Sequence, residues 1–188
     1  MKPIFLIGFM GTGKTTLGEA LRRSAGGRMS FLPEGCVFAD LDHAIEQREG
    51  MSVRRIFELK GERAFRNIEA DMLRELGARE NIIIACGGGT PCQGDNMEWM
   101  NARGLTVLLE ASQPVLLRRL LAAQDQRPLL AGMNARELEA FVDAKQRERS
   151  RWYRRAKVIF PSDLLESEEE IAESVKAFGE MLERQEHI

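Results

Sequence analysis

The sequence predicts an α/β protein in which helices cover a parallel β-sheet. Short apolar or β-branched runs alternate with longer segments that have the 3.6-residue period of helices. A glycine-rich stretch, Gly8–Thr15, directly follows the first apolar run, as expected where a strand turns into a helix. With 188 residues, 44% of them hydrophobic, the chain has the size and composition of one domain, which we expect to span residues 1–188.

The apolar runs predict five strands. They are Ile4–Gly8, Cys36–Ala39, Ile82–Cys86, Leu105–Glu110 and Lys157–Phe160. The helical segments are Lys14–Ala25, Asp42–Arg48, Ser52–Leu59, Glu62–Leu76, Asn96–Ala102, Gln113–Ala123, Ala135–Arg154 and Glu168–Arg184. Ser52 and Asn134 are expected N-caps, and helices are expected to stop at Gly50, Gly61, Gly77 and Gly104. The segment Ala25–Gly35, with several glycines and Pro33, is expected to form a surface loop.

The charges of the chain nearly cancel, because 27 Lys and Arg residues face 29 Asp and Glu residues. No global field therefore attracts nucleic acid or an anionic membrane. The strongest basic cluster, Lys145–Lys157, lies on a predicted helix that scatters its charges around the axis. No apolar stretch is as long as a membrane span, and the start does not resemble a signal peptide. We expect a cytoplasmic monomer that binds neither nucleic acid nor membrane.

The stretch Gly8–Thr15 matches the phosphate-loop pattern G-x-x-x-x-G-K-[ST] at every fixed position. Its glycines let several backbone N–H groups face one anion, and Lys14 adds a mobile positive charge. The hydroxyl of Thr15 is suited to Mg²⁺. The loop predicts a nucleoside triphosphate site, the alternative being a turn that serves only packing.

Polar residues also follow the second and third predicted strands, and parallel sheets bind ligands at these carboxyl ends. We expect Asp40 to assist Mg²⁺ and Asp42 to accept a hydrogen bond from an acceptor hydroxyl as its base. The alternative makes Asp42 only a helix N-cap. Gly87–Gly89 can offer N–H groups to a hydroxyl or carboxylate, or form a tight packing turn. Glu110, which ends the fourth strand, is interpreted as a solvated side chain.

Two arginines are further candidates. Arg66 lies one position off an apolar helical stripe, where it is either solvated or reaches a carboxylate in the cleft. Arg127 lies in a polar, proline-containing interruption at about residues 124–134 that has the character of a lid. Closure of such a lid excludes water and can bring Arg127 to a transferring phosphoryl group.

Taken together, these segments resemble the shikimate kinase family over residues 2–161. The resemblance is carried by Gly8–Thr15, Phe38–Asp42, Gly61–Arg66, Gly87–Gly89, Arg127–Leu130, and Arg149 ahead of Tyr153. It implies a nucleoside-monophosphate-kinase-like P-loop fold, with a three-layer, five-stranded parallel sheet of order 2-3-1-4-5, substrate-binding helices at about residues 42–76 and a lid. It also implies transfer of the ATP γ-phosphoryl group to the 3-hydroxyl of shikimate, giving shikimate 3-phosphate and ADP in the chorismate route to aromatic amino acids.

The resemblance implies roles for individual residues. Asp42 would be substrate ligand and base, Lys14 and Arg127 would act on the phosphoryl group, and Asp40 would join Thr15 around one Mg²⁺. The residues expected to bind shikimate are Asp42, Arg66, Gly87, Gly88, Gly89 and Arg149. Those expected to bind ATP are Gly11, Thr12, Gly13, Lys14, Thr15, Thr16, Arg119 and Arg127. Arg119 and Pro161 are adenine-pocket candidates by position only.

The chain departs from the family pattern at two places. The stretch between Lys14 and Asp42 is longer than usual, and the proline that commonly stands two residues after Arg149 is absent. Arg147 or Arg151 therefore remains an alternative substrate ligand. The rival functions are another small-molecule kinase, such as a gluconate or nucleoside monophosphate kinase, and a nucleotide-dependent module that binds nucleic acid through Lys145–Lys157.

Overall fold

A five-stranded parallel sheet forms the centre of the protein. The computed structural model describes residues 1–26, 31–124 and 128–186. The strands are β1 (Ile4–Ile7), β2 (Val37–Asp40), β3 (Ile82–Ala85), β4 (Leu105–Glu110) and β5 (Val158–Pro161). Their order across the sheet is β2-β3-β1-β4-β5, and every neighbouring pair is parallel. The predicted strand number and order are confirmed.

Seven α-helices pack around the sheet in the described part of the chain. They are α1 (Lys14–Ser24), α2 (Leu41–Glu49), α3 (Val53–Gly77), α4 (Asn96–Arg103), α5 (Gln113–Ala122), α6 (Ala135–Tyr153) and α7 (Glu168–Glu186). The two helices predicted on either side of Gly61 are joined in α3. Gly61 nevertheless has φ 77° and ψ 170°, which is not helical, so the backbone changes direction at the predicted glycine. Ser52 and Asn134 cap α3 and α6 as predicted.

Each face of the sheet is covered by its own core. Alternate residues of a strand point to opposite faces, so Phe5 and Ile7 join one core whereas Ile4 and Leu6 join the other. The first core is formed with α2 to α6, and the second with α1 and α7. All four residues of β1 are buried, as expected for a strand in a parallel sheet that has helices on both sides. The predicted three-layer architecture is confirmed.

Two side chains of the predicted surface loop Ala25–Gly35, those of Phe31 and Leu32, pack against the second core. Leu32 is only 2% exposed and belongs to the second core. The ring of Phe31 packs against Phe178 on α7, with 6.4 Å between ring centroids. The described residues 31–35 form bends and turns as predicted for a loop, but Leu32 is buried and Phe31 is half-buried. Residues 27–30 lie outside the described residues. Within the described chain, no helix combines the length and apolar character that crossing a membrane requires.

Candidate active site

The phosphate loop joins β1 to α1 through glycines with unusual backbone angles. Gly8, Gly11 and Gly13 have φ values of 142°, 82° and 85°, a region that residues with a Cβ rarely adopt. A Cβ on Gly8 would also lie 2.6 Å from the Leu109 carbonyl oxygen. The α1 helix starts without a capping side chain, which leaves N–H groups at its N-terminus for an anion. The loop is thus shaped by glycine as the motif predicts.

Lys14 lies over this loop. Its Nζ atom donates hydrogen bonds to the carbonyl oxygens of Gly8 at 2.9 Å and Phe9 at 2.8 Å. The ammonium group therefore stands at the mouth of the loop, beside the position in which P-loop proteins hold outer phosphates. Because the lysine side chain is flexible, its ammonium group can move from these carbonyl oxygens to a phosphate while the backbone stays in place.

Asp40, at the end of β2, connects the phosphate loop to α2. Its Oδ2 atom accepts a hydrogen bond of 2.8 Å from the Thr15 hydroxyl. Its Oδ1 atom accepts from the backbone N–H groups of Asp42 at 3.1 Å and His43 at 3.3 Å. Asp40 is therefore the N-cap of α2, and the alternative that Asp42 serves only as the cap is wrong. The Asp42 carboxylate is therefore not needed to cap the helix.

Asp42 stands in the cleft beside the third strand end. A Cβ placed on Gly87 would lie 3.3 Å from Asp42 Oδ1 and 3.2 Å from Glu69 Oε1, so the two carboxylates approach the same glycine. The pKa of Asp42 is raised to about 6, mainly because the surrounding protein atoms displace water from its carboxyl group. The negative charges of Asp40 and Glu69 raise it further. The charge of Lys14 acts in the opposite direction. A carboxylate with such a pKa is suited to accept a proton near neutral pH.

Glu69 is a site residue that the sequence interpretation missed. It is 1% exposed, and its carboxylate accepts hydrogen bonds from Arg66 Nη1 at 2.9 Å and from the Thr90 hydroxyl at 2.6 Å. The sequence did contain a signal for it, namely a charged residue on the apolar stripe of α3. Glu69 follows Phe65 by four residues and precedes Met72 by three, so it lies on the same helix face as both. A buried carboxylate needs a partner of opposite charge.

Arg66 is held by this carboxylate at the cleft. Its guanidinium also lies 5.2 Å from the ring centroid of Phe65 and 5.9 Å from that of Phe57. A Cβ on Gly89 would lie 3.1 Å from Arg66 Nη2, so the arginine adjoins the glycine turn. The interpretation of Arg66 as a solvated helix charge is wrong, since its side chain is 22% exposed.

Arg149 approaches the same turn from α6. A Cβ on Gly88 would lie 3.1 Å from Arg149 Nη1, and the guanidinium lies 5.6 Å from the ring centroid of Phe9. The two alternatives are placed elsewhere: Arg147 is 83% exposed and 3.9 Å from the Asp143 carboxylate, and Arg151 lies 3.8 Å from the Trp152 ring centroid. Of the three arginines, Arg149 is the one that adjoins the glycine turn.

The phosphate loop, Asp40, Asp42 and the first two glycines of the turn line a cleft of about 510 Å³ at the carboxyl edge of the sheet. The lining includes ten of the site residues that were predicted from the sequence: Gly11, Gly13, Lys14, Thr15, Thr16, Asp40, Asp42, Gly87, Gly88 and Arg119. Arg119 donates to the carbonyl oxygens of Ser162 at 2.9 Å and Asp163 at 2.7 Å, next to Leu165 and Glu166, which also line the cleft.

Five predicted residues in the described part of the chain do not line this cleft: Gly89, Arg66 and Arg149, which meet at the glycine turn, and Thr12 and Pro161. The Thr12 side chain is 2% exposed, donates to the Phe9 carbonyl oxygen at 2.8 Å and lines a neighbouring cavity of about 490 Å³. Pro161 also lines that cavity, and its role in an adenine pocket stays a prediction. Arg127 lies outside the described residues. The start of the predicted lid is tied to its end, because Gln124 Nε2 donates to the carbonyl oxygens of Leu130 and Met133, both at 2.7 Å.

Comparison with known proteins identifies the family. The family model described as shikimate kinase matches residues 10–179. The chain belongs to the shikimate kinase family. It is 43% identical to the shikimate kinase of Phocaeicola vulgatus over 184 residues, which cover 98% of this chain and 100% of that protein.

Solved structures of shikimate kinases show the same P-loop kinase fold. The enzyme from Bacteroides thetaiotaomicron superposes with a TM-score of 0.88 at 42% identity, covering 97% of this chain and 98% of that one. The shikimate kinase from Acinetobacter baumannii, solved in complex with shikimate, has a TM-score of 0.79 at 30% identity, with coverage of 98% and 94%. Shikimate kinases are ATP-dependent kinases, and these relatives do not support the gluconate kinase or nucleic-acid alternatives.

Proposed function

We propose that this member of the shikimate kinase family transfers the γ-phosphoryl group of ATP to the 3-hydroxyl of shikimate, giving shikimate 3-phosphate and ADP. The observation that supports this most directly is the convergence of two arginines and one carboxylate on the turn Gly87–Gly89, beside the phosphate loop. Shikimate carries a carboxylate and vicinal hydroxyls, and it therefore matches a site with arginines and one acid. The complex of the Acinetobacter baumannii relative with shikimate adds support.

In this proposal Asp42 is the base. Its carboxylate takes the proton of the acceptor hydroxyl as the hydroxyl oxygen bonds to the γ-phosphorus, and the bond from phosphorus to the β–γ bridging oxygen breaks to release ADP. The raised pKa of about 6 leaves the group ionised at neutral pH yet more basic than an ordinary aspartate. Lys14 is close enough to influence this pKa and is proposed to stabilise the charge that develops on the transferred group.

The substrate carboxylate is proposed to bind between Arg66 and Arg149. A guanidinium presents a planar fork of donors that matches a carboxylate. In the described part of the chain, the N–H groups of Gly88 and Gly89 have no hydrogen-bond acceptor, so they are available to the substrate. The two arginines and the turn then fix the ring of the acceptor with its hydroxyl toward Asp42.

Thr15 and Asp40 have the donor chemistry of a Mg²⁺ site. Their hydroxyl and carboxylate oxygens are hard ligands, lie 2.8 Å apart and adjoin the phosphate loop. Mg²⁺ is usually held in such sites by one or two protein groups, phosphate oxygens and water. We propose that Thr15 and Asp40 would hold the ion, which when bound would neutralise charge on the phosphates.

The proposal also covers nucleotide binding, the lid and the state in which the protein acts. Arg119 is proposed to bind the nucleotide, because it lies between the phosphate loop and the segment after β5. Arg127 and residues 124–134 are proposed to close over the phosphates, as the sequence predicts. The protein is proposed to act as one kinase domain, as a cytoplasmic monomer without nucleic acid. In the basic segment, Lys145 pairs with Glu148 and Arg155 with Glu98, which reduces the positive charge that these two residues offer to a nucleic acid.

The proposal is tested by measuring ADP release with shikimate, gluconate and nucleoside monophosphates in parallel. We expect release to be stimulated by shikimate, and we expect the methyl ester of shikimate to be a poor substrate because it lacks the carboxylate charge. Asp42→Asn should reduce turnover by about 10²–10⁴-fold, the range of general base catalysis, while ATP still binds. If shikimate does not stimulate ADP release, or if the ester reacts as well as the acid, the proposal is wrong.

A further inference from the structure

Tyr153, the last residue of α6, makes a long-range hydrogen bond to the glycine turn. Its hydroxyl donates to the Gly88 carbonyl oxygen at 2.6 Å, joining residues that are 65 positions apart. Tyr153 is the only tyrosine of the chain, and it is 7% exposed. In the described part of the chain no other group donates to this carbonyl. Tyr153 is therefore the contact that orients the Gly88 carbonyl.

The orientation of this carbonyl determines the direction of a neighbouring donor. The Gly88 C=O and the Gly89 N–H belong to one peptide unit, which is planar and trans, so the two groups point in opposite directions. When the carbonyl points to Tyr153, the Gly89 N–H points away from α6. Two glycines flank this peptide unit, and their backbone would otherwise rotate easily. A single hydroxyl thus orients an N–H group that the proposed function assigns to the substrate.

Tyr153 also contacts the arginine that approaches the same glycine. Arg149 precedes Tyr153 by four residues on α6, so the two side chains share a helix face. The guanidinium of Arg149 is close enough for its positive charge to act on the pKa of Tyr153. A Cβ on Gly88 would lie 3.1 Å from Arg149 Nη1, so both side chains meet at Gly88. The peptide that Tyr153 orients therefore lies directly beside the Arg149 guanidinium.

We propose that Tyr153 is a positioning residue for the carboxylate end of the substrate, because it fixes the orientation of the Gly88–Gly89 peptide beside the Arg149 guanidinium. This inference rests on the proposed function and deepens it. In this inference Tyr153 acts through the glycine turn that Arg149 adjoins and does not itself bind the phosphates or the reacting hydroxyl. Burial raises the pKa of Tyr153 to about 12, so its hydroxyl remains a donor throughout the working pH range.

The variant Tyr153→Phe removes the hydroxyl and leaves the ring. Loss of one hydrogen bond and of the fixed peptide orientation should raise the KM for shikimate by about tenfold. The KM for ATP and kcat should change by less than about twofold, because the loss affects binding in the ground state and transition state equally. An unchanged KM for shikimate, or a fall in kcat at unchanged KM, would overturn the inference.

Ser174→Ala is a matched control. Ser174 is 6% exposed, and its hydroxyl also donates to a backbone carbonyl, that of Leu164, at 2.6 Å. Both variants lose one such bond, so both should lower the Tm, but only Tyr153→Phe should raise the KM for shikimate. An equal rise in both variants would mean that general destabilisation causes the effect. Wild-type protein that lacks shikimate-dependent ADP release would instead disprove the proposed function.

A second measurement uses the unsubstituted sequence. Biosynthetic incorporation of 3-fluorotyrosine labels Tyr153 alone, because the chain has one tyrosine, and it gives a single ¹⁹F resonance. We expect shikimate to shift this resonance, and we expect a non-hydrolysable ATP analogue alone to have little effect. A resonance that does not respond to saturating shikimate would overturn the inference, even if Tyr153→Phe fails to fold.

Discussion

Arg66 Nη1 lies 2.9 Å from the carboxylate of Glu69, one helical turn further along α3. The pair differs from the other ion pairs of this helix because Glu69 is 1% exposed, whereas Glu58 and Glu75 remain in water. Exposed pairs contribute little, but a buried carboxylate must keep its partner. The buried Glu69 carboxylate therefore fixes the orientation of the Arg66 side chain.

We expect Glu69→Gln to raise the KM for shikimate by about tenfold or more, since the charge that holds Arg66 is lost. It should also lower the pKa of Asp42, because the Glu69 charge is one of the causes that raise it. Glu75→Gln, which removes an exposed carboxylate from the same helix, is the control and should change neither quantity. Steady-state kinetics and their pH dependence measure both effects.

The pKa of Asp42 predicts the pH dependence of the reaction. We expect kcat/KM for shikimate to be constant near neutral pH and to fall about tenfold per pH unit well below pH 6, where Asp42 is protonated in the free enzyme. The same shift has a consequence for stability. Between the ordinary value of 3.8 and about 6, the folded protein binds more protons than the unfolded chain, so Asp42 makes stability fall as the pH rises.

Asp42→Asn removes this titration. The variant should therefore gain Tm relative to wild type at pH 8 but not at pH 4, although it has lost turnover. Thermal unfolding at the two pH values makes the comparison. A kcat/KM profile that stays flat down to pH 4.5 would exclude Asp42 as the base with a raised pKa.

Arg149 and Arg147 form a matched pair for mutation, because they stand two residues apart on α6 and only Arg149 adjoins the glycine turn. We expect Arg149→Ala to raise the KM for shikimate by about 10²-fold, as expected for the loss of a charged hydrogen-bond partner. Arg147→Ala should have nearly normal kinetics. The opposite ranking of the two KM values would assign the substrate contact to Arg147.

For Arg127 the prediction rests on the sequence, since the residue lies outside the described range. Arg127→Ala should lower kcat on the order of 10³-fold, by analogy with arginines that stabilise phosphoryl transfer. Single-turnover measurements separate this effect from slower product release. A change confined to KM would show that Arg127 binds the ground state and does not act in the transition state.

Features that depend on local pattern were predictable from the sequence. The runs ending at Ile7 and Ala85 are apolar throughout because both faces of a parallel sheet are buried, and the phosphate loop is one continuous motif. The Gly88–Tyr153 hydrogen bond depends on which distant elements meet, and it has no local signature. The contact of Phe31 with α7 could not be predicted either, because it also joins distant elements. The glycines and the proline around Phe31 are typical of a loop and indicate no packing.

The carboxylate of Asp40 serves two helices at once, because it accepts from Thr15 on α1 and caps the N-terminus of α2. A carboxylate has about four lone-pair sites, so it can keep both contacts and still accept from water. The helix that carries Asp42 is consequently aligned with the nucleotide loop by a side chain as well as by the sheet. A substitution at Asp40 would therefore misalign donor and acceptor together, and its effects on ATP and shikimate should not separate.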